Sequence, residues 1–303
     1  MTPPVRVLVS CEEDDQVGHD LLSQTPGLEV IPYDPNSPDL DSHQASAHVL
    51  IPPYRSSHRP IRLLPLLPNL RMVQLLSAGT DEWAPHVPYG ITLSNAHGAH
   101  AGPVSEWILS AILTQYRQWP ALVRFQDQAI WAHRKFHADT LAGTRVLIIG
   151  AGSIGMATAR RLKAFEAVPT LVARTARDGV HATTDLPALI PGHQIVVLTA
   201  PLTEATRGLV NAEFLATMNT GALLVNAARG QIVDTTALVH ELQQERLTAA
   251  LDVVDPEPLP SGHPLWSCPG VLISPHSART VPRTNELCYS AANRQICDRA
   301  LSG

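Results

Sequence analysis

The run Arg145-Val146-Leu147-Ile148-Ile149 passes without interruption into Gly150-Ala151-Gly152-Ser153-Ile154-Gly155. Beyond it, Ile154, Thr158, Leu162 and Phe165 recur at helical spacing. A continuous apolar strand, a glycine turn and an amphipathic helix in that order leave few folds open. An apolar strand without alternation is buried on both faces, which points to a parallel sheet with helical crossovers. Each glycine has its own reason: Gly150 for the tight turn, Gly152 for close approach of a pyrophosphate to the backbone, Gly155 for close packing of helix on strand. Ser153 and Ile154 open the helix, whose first N–H groups and positive dipole end suit phosphate. The segment predicts a dinucleotide site.

Five more apolar runs follow, at Thr170-Leu171-Val172, Ile195 to Leu198, Ala222 to Val225, Ala249-Ala250-Leu251 and Val271-Leu272-Ile273. Helical segments separate most of them; Asn211 is placed to N-cap a helix over 212–218 and Asp234 one over 235–245. Six strands with crossovers predict a doubly wound α/β domain. Upstream, residues 5–9, 46–51 and 71–76 read as short strands between proline-rich connections, and Val104 to Tyr116 as a helix. The 303 residues suffice for two domains, and 45% hydrophobic with 16% charged residues is a globular composition. A net charge of −5 without a basic stripe gives no support to nucleic-acid or anionic-membrane binding. No apolar run approaches the length of a membrane span, and the first residues lack a signal-peptide core. The four cysteines show no Cys-x-x-Cys spacing. These features predict a cytoplasmic protein. His133 and His137 have the spacing of ligands on a helix, but no third ligand accompanies them, and His97 and His100 are equally isolated, so no metal site is expected.

Three strand ends carry the chemistry. Asn226-Ala227-Ala228-Arg229-Gly230, Asp252 to Pro258 and Ser274-Pro275-His276-Ser277 each follow an apolar run. In open α/β sheets ligands bind outside the carboxyl ends of strands, so Arg229, Glu257 and His276 are expected to converge near the dinucleotide. Histidine titrates near neutrality and suits proton transfer. A carboxylate on its other nitrogen fixes the tautomer and favours the charged ring. The planar fork of arginine suits a carboxylate and a carbonyl oxygen. The set is the equipment for hydride transfer to a 2-keto acid. After the second strand of the nucleotide domain the sequence reads Val172-Ala173-Arg174-Thr175-Ala176-Arg177, with no carboxylate before Asp178. An acidic residue there binds the ribose 2′-hydroxyl of NAD. Arg174, Thr175 and Arg177 instead attract a 2′-phosphate, so NADP is expected in preference to NAD, with NAD still usable. Tyr54 and Arg55, after an N-terminal strand, are candidates for the substrate side chain.

The motifs in their order resemble the D-isomer-specific 2-hydroxyacid dehydrogenase family. They run from Ser77-Ala78-Gly79-Thr80-Asp81 through Leu141-Ala142-Gly143, the glycine turn, Ala200-Pro201-Leu202-Thr203 and Asn226 to Asp234, to Leu251-Asp252-Val253, Glu257-Pro258-Leu259 and Pro275-His276. The arginines at 174 and 177 look most like the glyoxylate/hydroxypyruvate reductase branch. The resemblance implies two doubly wound domains: a Rossmann cofactor domain over 99–278 inserted into a smaller flavodoxin-like substrate domain of 1–98 and 279–303. Segments near 97–101 and 277–280 would be hinges. It implies catalytic roles for Arg229, Glu257 and His276, and substrate contacts at Ser77, Ala78 and Gly79 beside Arg229 and His276. It further implies cofactor contacts at Ala200, Pro201, Ala227, Ala228 and Asp252, the last orienting the nicotinamide carboxamide. A homodimer is implied, packed through the helix that carries Trp107, Ile108, Ala111, Ile112 and neighbouring Trp119. Formate dehydrogenases resemble the family but have Gln where this chain has Glu257. Dinucleotide-sensing corepressor relatives and phosphite-oxidising relatives are the alternatives. Where relatives continue after the histidine with Gly or Ala and a bulky residue, this chain has Ser277-Ala278-Arg279-Thr280, which puts Arg279 forward as an influence on substrate choice. The tail beyond 280 reads as short, so fewer contacts are expected to close the domains.

Overall fold

The computed structural model describes residues 3–133 and 135–300. Two compact units divide the chain: residues up to His100 with those from Val281 onward, and Ala101–Thr280. The break points lie two residues beyond those read from the sequence.

The first unit contains β1 (Val5–Ser10), α1 (Gln16–Ser23), β2 (Leu28–Tyr33), β3 (Val49–Ile51), β4 (Met72–Gln74) and β5 (Thr92–Ser94). Its five strands are parallel in the order β2-β1-β3-β4-β5, a flavodoxin-like doubly wound sheet. Alternate residues feed the two faces: Val5, Val7, Val9, Val49 and Ile51 enter one core, Leu8, Ile31, Leu50 and Val73 the other. The sequence reading of strands at 46–51 and 71–76 is trimmed to Val49–Ile51 and Met72–Gln74, because Gln44–Ser46 is a 3-10 turn. It missed β2 and β5, and both lie on edges of the sheet. β2 carries Pro32, which a strand accepts at an edge, where one row of N–H groups has no ladder partner.

The second unit contains α2 (Ala101–Tyr116), α3 (Trp119–Asp127), β6 (Arg145–Ile149), α4 (Ser153–Ala164), β7 (Val168–Ala173), β8 (Val180–Ala182), α5 (Leu186–Leu189), β9 (Ile195–Leu198), α6 (Ala212–Thr217), β10 (Leu223–Asn226), α7 (Thr235–Gln243), β11 (Thr248–Leu251) and β12 (Val271–Ile273). All seven strands are parallel, in the order β12-β11-β10-β9-β6-β7-β8. This is the dinucleotide-binding order with one added edge strand, and its switch point lies between β6 and β9. Leu147, Ile149, Val196, Leu198 and Leu224 pack on one face and Val146, Ile148, Ile195, Val197 and Val225 on the other. Both faces are covered, as continuous apolar strands require. Asn211 caps α6 through Phe214 N at 2.9 Å and Asp234 caps α7 through Ala237 N at 3.0 Å.

Thr284–Ala300 forms a 17-residue helix, α8, of the first unit. Its Cys288, Tyr289, Ala292 and Ile296 join the core around Val7 and Leu22. Tyr289 lies so close over Gly18 of α1 that a Cβ at position 18 would overlap its ring. Of the five residues read as a dimer helix, Ile108, Ala111 and Ile112 are spent in the second unit's own core. Trp119 is 55% exposed.

Candidate active site

At the switch point Gly150 has φ +119, and a Cβ there would meet Ala200 N and Thr199 C at 2.5 Å. Gly155 sits directly on the carbonyl oxygen of Gly150, leaving no room for a side chain. A Cβ on Gly152, by contrast, would meet nothing within 4 Å. Two glycines are therefore fixed by close packing, and the third opens on free space at the N-terminus of α4. That is the cradle a pyrophosphate needs, and the residues fit a dinucleotide. Thr199, which the sequence reading passed over, locks the turn by donating from Oγ1 to Gly150 O at 2.8 Å. Ser153 and Ile154 open α4, and Ile154 packs partly into the core. Ala200 is half-buried and Pro201 exposed at the end of β9.

Arg174, Thr175 and Arg177 are all exposed beyond β7. Arg177 donates from Nη2 to Ala151 O at 2.7 Å, which ties this loop to the glycine turn.

The ends of β10, β11 and β12 form the second half of the site. Asn226, the buried last residue of β10, accepts from Ala228 N at 3.1 Å and donates from Nδ2 to Arg229 O at 3.0 Å. It shapes the turn that holds Ala227, Ala228 and Arg229. Arg229 is half-buried and donates from Nη1 to Ala228 O at 2.8 Å. Gly230 lies against the Val254–Asp255 peptide so tightly that a Cβ would overlap the Val254 carbonyl. This contact sets the Arg229 loop against the loop that carries Glu257.

Asp252 is buried and gathers the His276 loop around itself. It accepts from Ser274 Oγ at 2.6 Å, Ser277 N at 2.8 Å and Ala278 N at 3.1 Å, while its carbonyl accepts from His276 N at 2.7 Å. Those bonds hold His276 at φ 51, a left-handed conformation that costs a non-glycine residue about 1–3 kcal/mol. In this structure Asp252 acts as a clamp on the loop, a function the sequence motif did not disclose.

Held this way, His276 Nδ1 meets Glu257 Oε1 at 2.6 Å. Burial on its own would push the Glu257 carboxyl up. The bond from His276, the charge of that ring, a backbone bond from Val254 and the Arg229 charge outweigh it and bring the group below its ordinary range. Glu257 is therefore ionised at neutral pH. With Nδ1 engaged, Nε2 is the atom left to act on a ligand.

In the first unit, Ser77 Oγ donates to Gly79 O at 2.7 Å, and Asn95 Nδ2 to Ala78 O at 2.7 Å. The turn over Ser77, Ala78 and Gly79 is thereby fixed, with Ala78 exposed. Tyr54 is 8% exposed and packs into the core with Val9 and Ile51, so its ring is committed to packing. Arg55 is the exposed member of that pair. Arg279 is half-buried. His133 and His137 lie beyond the end of α3 at Asp127, so the helical spacing that made them a pair does not apply. His100 is buried, its Nε2 2.9 Å from Leu76 O. Among the described residues no group of three His, Cys, Asp or Glu is placed to hold a metal ion, and no helix is long and apolar enough to cross a membrane. A cleft of about 910 Å3 opens at the amino ends of β9 to β12, away from the strand ends that carry Arg229 and His276, lined by Gln194, Thr248 and Trp266. Convergence of ionisable groups, not volume, locates the chemistry.

A doubly wound sheet with a glycine turn at its switch point, and an Arg, a Glu and a His on adjoining strand ends, defines a dinucleotide-dependent oxidoreductase. Residues 109–278, more than half of the chain, match the family model for the D-isomer specific 2-hydroxyacid dehydrogenase NAD binding domain. The chain is 31% identical over 297 residues to the glyoxylate reductase/hydroxypyruvate reductase of Homo sapiens, covering 92% of this chain and 90% of that protein. It is 27% identical over 313 residues to the chloroplastic/mitochondrial formate dehydrogenase of Arabidopsis thaliana, covering 97% and 80%. A D-isomer specific 2-hydroxyacid dehydrogenase from Xanthobacter autotrophicus Py2, solved with NADPH and MES, superimposes with a TM-score of 0.79 at 29% identity, over 97% of this chain and 93% of that one. The chain belongs to the D-isomer-specific 2-hydroxyacid dehydrogenase family and is an NAD(P)-dependent enzyme of that family.

Proposed function

We propose that the chain reduces small 2-keto acids of the glyoxylate or hydroxypyruvate type with NADPH, and that Arg229, Glu257 and His276 carry the reaction. The observation behind this is the 2.6 Å His276–Glu257 pair on a loop clamped by Asp252, with Arg229 across the Gly230–Val254 contact. Reduction of a keto acid needs hydride at the carbonyl carbon and a proton at its oxygen. The dinucleotide, when bound, supplies the hydride. His276 donates the proton from Nε2, and Glu257 stabilises the charged ring before it does so. Arg229 binds the substrate carboxylate and polarises the keto oxygen. The second unit is the dinucleotide-binding domain. The first is the substrate domain, in which the Ala78 and Gly79 N–H groups bind the carboxylate and Arg55 reads the substrate side chain. Formate as substrate fits less well: it gives up hydride and leaves as CO2 with no proton to place on oxygen, so the His276–Glu257 pair would have nothing to do.

Arg174 and Thr175, exposed past β7 with no carboxylate before Asp178, support NADPH, as does the NADPH in the Xanthobacter enzyme. Assays with glyoxylate, hydroxypyruvate and pyruvate test both parts of the reading. We expect turnover with at least one acid and a higher kcat/KM for NADPH than for NADH. A clear NADH preference removes the cofactor assignment; tight dinucleotide binding without turnover on any of the acids favours a sensing protein.

We also propose a homodimer formed through the second unit. Trp119, Val123, Trp131 and Phe165 are exposed there at 55%, 47%, 91% and 44%, large apolar side chains of the kind an interface between copies covers. Light scattering is expected to give twice the chain mass, and a monomer at micromolar concentration would reject the proposal.

A further inference from the structure

The acidic run Glu12-Glu13-Asp14-Asp15 has no part in the chemistry so far. In the first unit it faces the segment holding Arg55 and Arg59. Asp14 Oδ2 pairs with Arg55 Nε at 2.7 Å, and Glu12 Oε2 with Arg59 Nη2 at 2.7 Å. The backbone on both sides is fixed. Asp15, fully buried, accepts from Tyr54 N at 2.9 Å and from the Tyr289 hydroxyl at 2.9 Å. Asn285 of α8 donates to Asp14 O at 2.8 Å, and Arg59 donates from Nη2 to Arg55 O at 3.1 Å. Residues 14 and 15 thus meet residues 55 and 54 as two successive contacts, braced from behind by α8. The Asp14–Arg55 pair sits on this frame, with the Arg55 side chain 66% exposed. Arg55 therefore carries a charge open to solvent yet already matched.

We infer that Asp14 is a specificity-determining residue, which neutralises Arg55 and so turns the enzyme away from 2-keto acids bearing a second anionic group. The preferred substrates are acids whose only charge is the carboxylate beside the keto group. The inference rests on the proposed function and on Arg55 reading the substrate side chain. An unmatched guanidinium attracts a second carboxylate or a phosphate; Asp14, held on Arg55 Nε, offsets that charge and repels the incoming anion. Exposed pairs are weak, so the effect is several-fold rather than orders of magnitude.

The test compares kcat/KM for oxaloacetate, with two carboxylates, and glyoxylate, with one, using the full chain and NADPH. The expected outcome is a rise of about fivefold in the oxaloacetate-to-glyoxylate ratio in Asp14→Asn, with a return to the wild-type ratio in Asp14→Asn combined with Arg55→Gln. A ratio that stays flat or falls in Asp14→Asn overturns the inference, and so does a rise that survives loss of Arg55. General loosening of the unit lowers both acids together, leaves the ratio flat and counts against it. Wild-type protein that reduces no keto acid defeats the proposed function itself. Wild-type activity on glyoxylate with an unmoved ratio defeats only the role of Asp14.

Discussion

His276→Ala is expected to lower kcat for keto-acid reduction by about 10²–10⁴-fold, the usual contribution of a positioned general acid, while NADPH still binds. The basis is geometric. Nδ1 of His276 is taken by Glu257 at 2.6 Å, which leaves Nε2 as the proton-carrying atom, and Glu257 is held ionised by that bond and by Arg229. The glycine turn and the arginine-bearing loop belong to other strands, so dinucleotide affinity measured by fluorescence titration should not change. Unchanged kcat would show that the proton travels by another route. Lost NADPH affinity would show that the substitution disturbs the fold of the strand ends rather than the chemistry.

Gly230→Ala is expected to cost about 10²-fold in kcat/KM, the scale on which a displacement of roughly 1 Å acts in an active site. A methyl at this position overlaps the Val254 carbonyl, so the loop holding Arg229 and the loop holding Glu257 have to separate. Neither reacting side chain is altered, so the loss would come from spacing alone. Melting temperature should fall as well, since the Val254 backbone is packed against the same position. A Gly230→Ala enzyme with wild-type kcat/KM would show that the spacing of the two loops is immaterial.

Much of the second unit was legible in the sequence because its strands are buried on both faces and read as unbroken apolar runs. Its glycines could be assigned for the same reason: a strand on one side and helical periodicity on the other define what the turn must do. The edge strands were harder. β5 and β8 have three residues each, and β2 contains Pro32 and half-exposed positions, so nothing in their composition separates them from loops. α8 left a faint signal in Cys288, Ala292 and Ile296 at a spacing of four, diluted by the small and polar residues around them. At the site, the three strand-end residues were readable as types in a pattern, but the parts that hold them were not. The clamp of Asp252 on Ser274, Ser277 and Ala278, the seat of Gly230 on Val254 and the Asp14–Arg55 pair join segments far apart in sequence. Tyr54 shows the limit from the other side: adjacent to Arg55 in the chain, it turns into the core while Arg55 stays outside.

The central claim is that this chain moves hydride from a nicotinamide dinucleotide to the keto carbon of a small acid. The measurement that bears on it most directly is label transfer: hydroxypyruvate incubated with the protein and NADPH deuterated at both C4 positions, with the product examined by mass spectrometry. The account predicts glycerate one mass unit heavier, with the deuterium on C2, formed by the wild-type chain and almost absent with His276→Ala. Unlabelled glycerate, or no labelled product from hydroxypyruvate, glyoxylate or pyruvate while the labelled dinucleotide binds tightly, would contradict it.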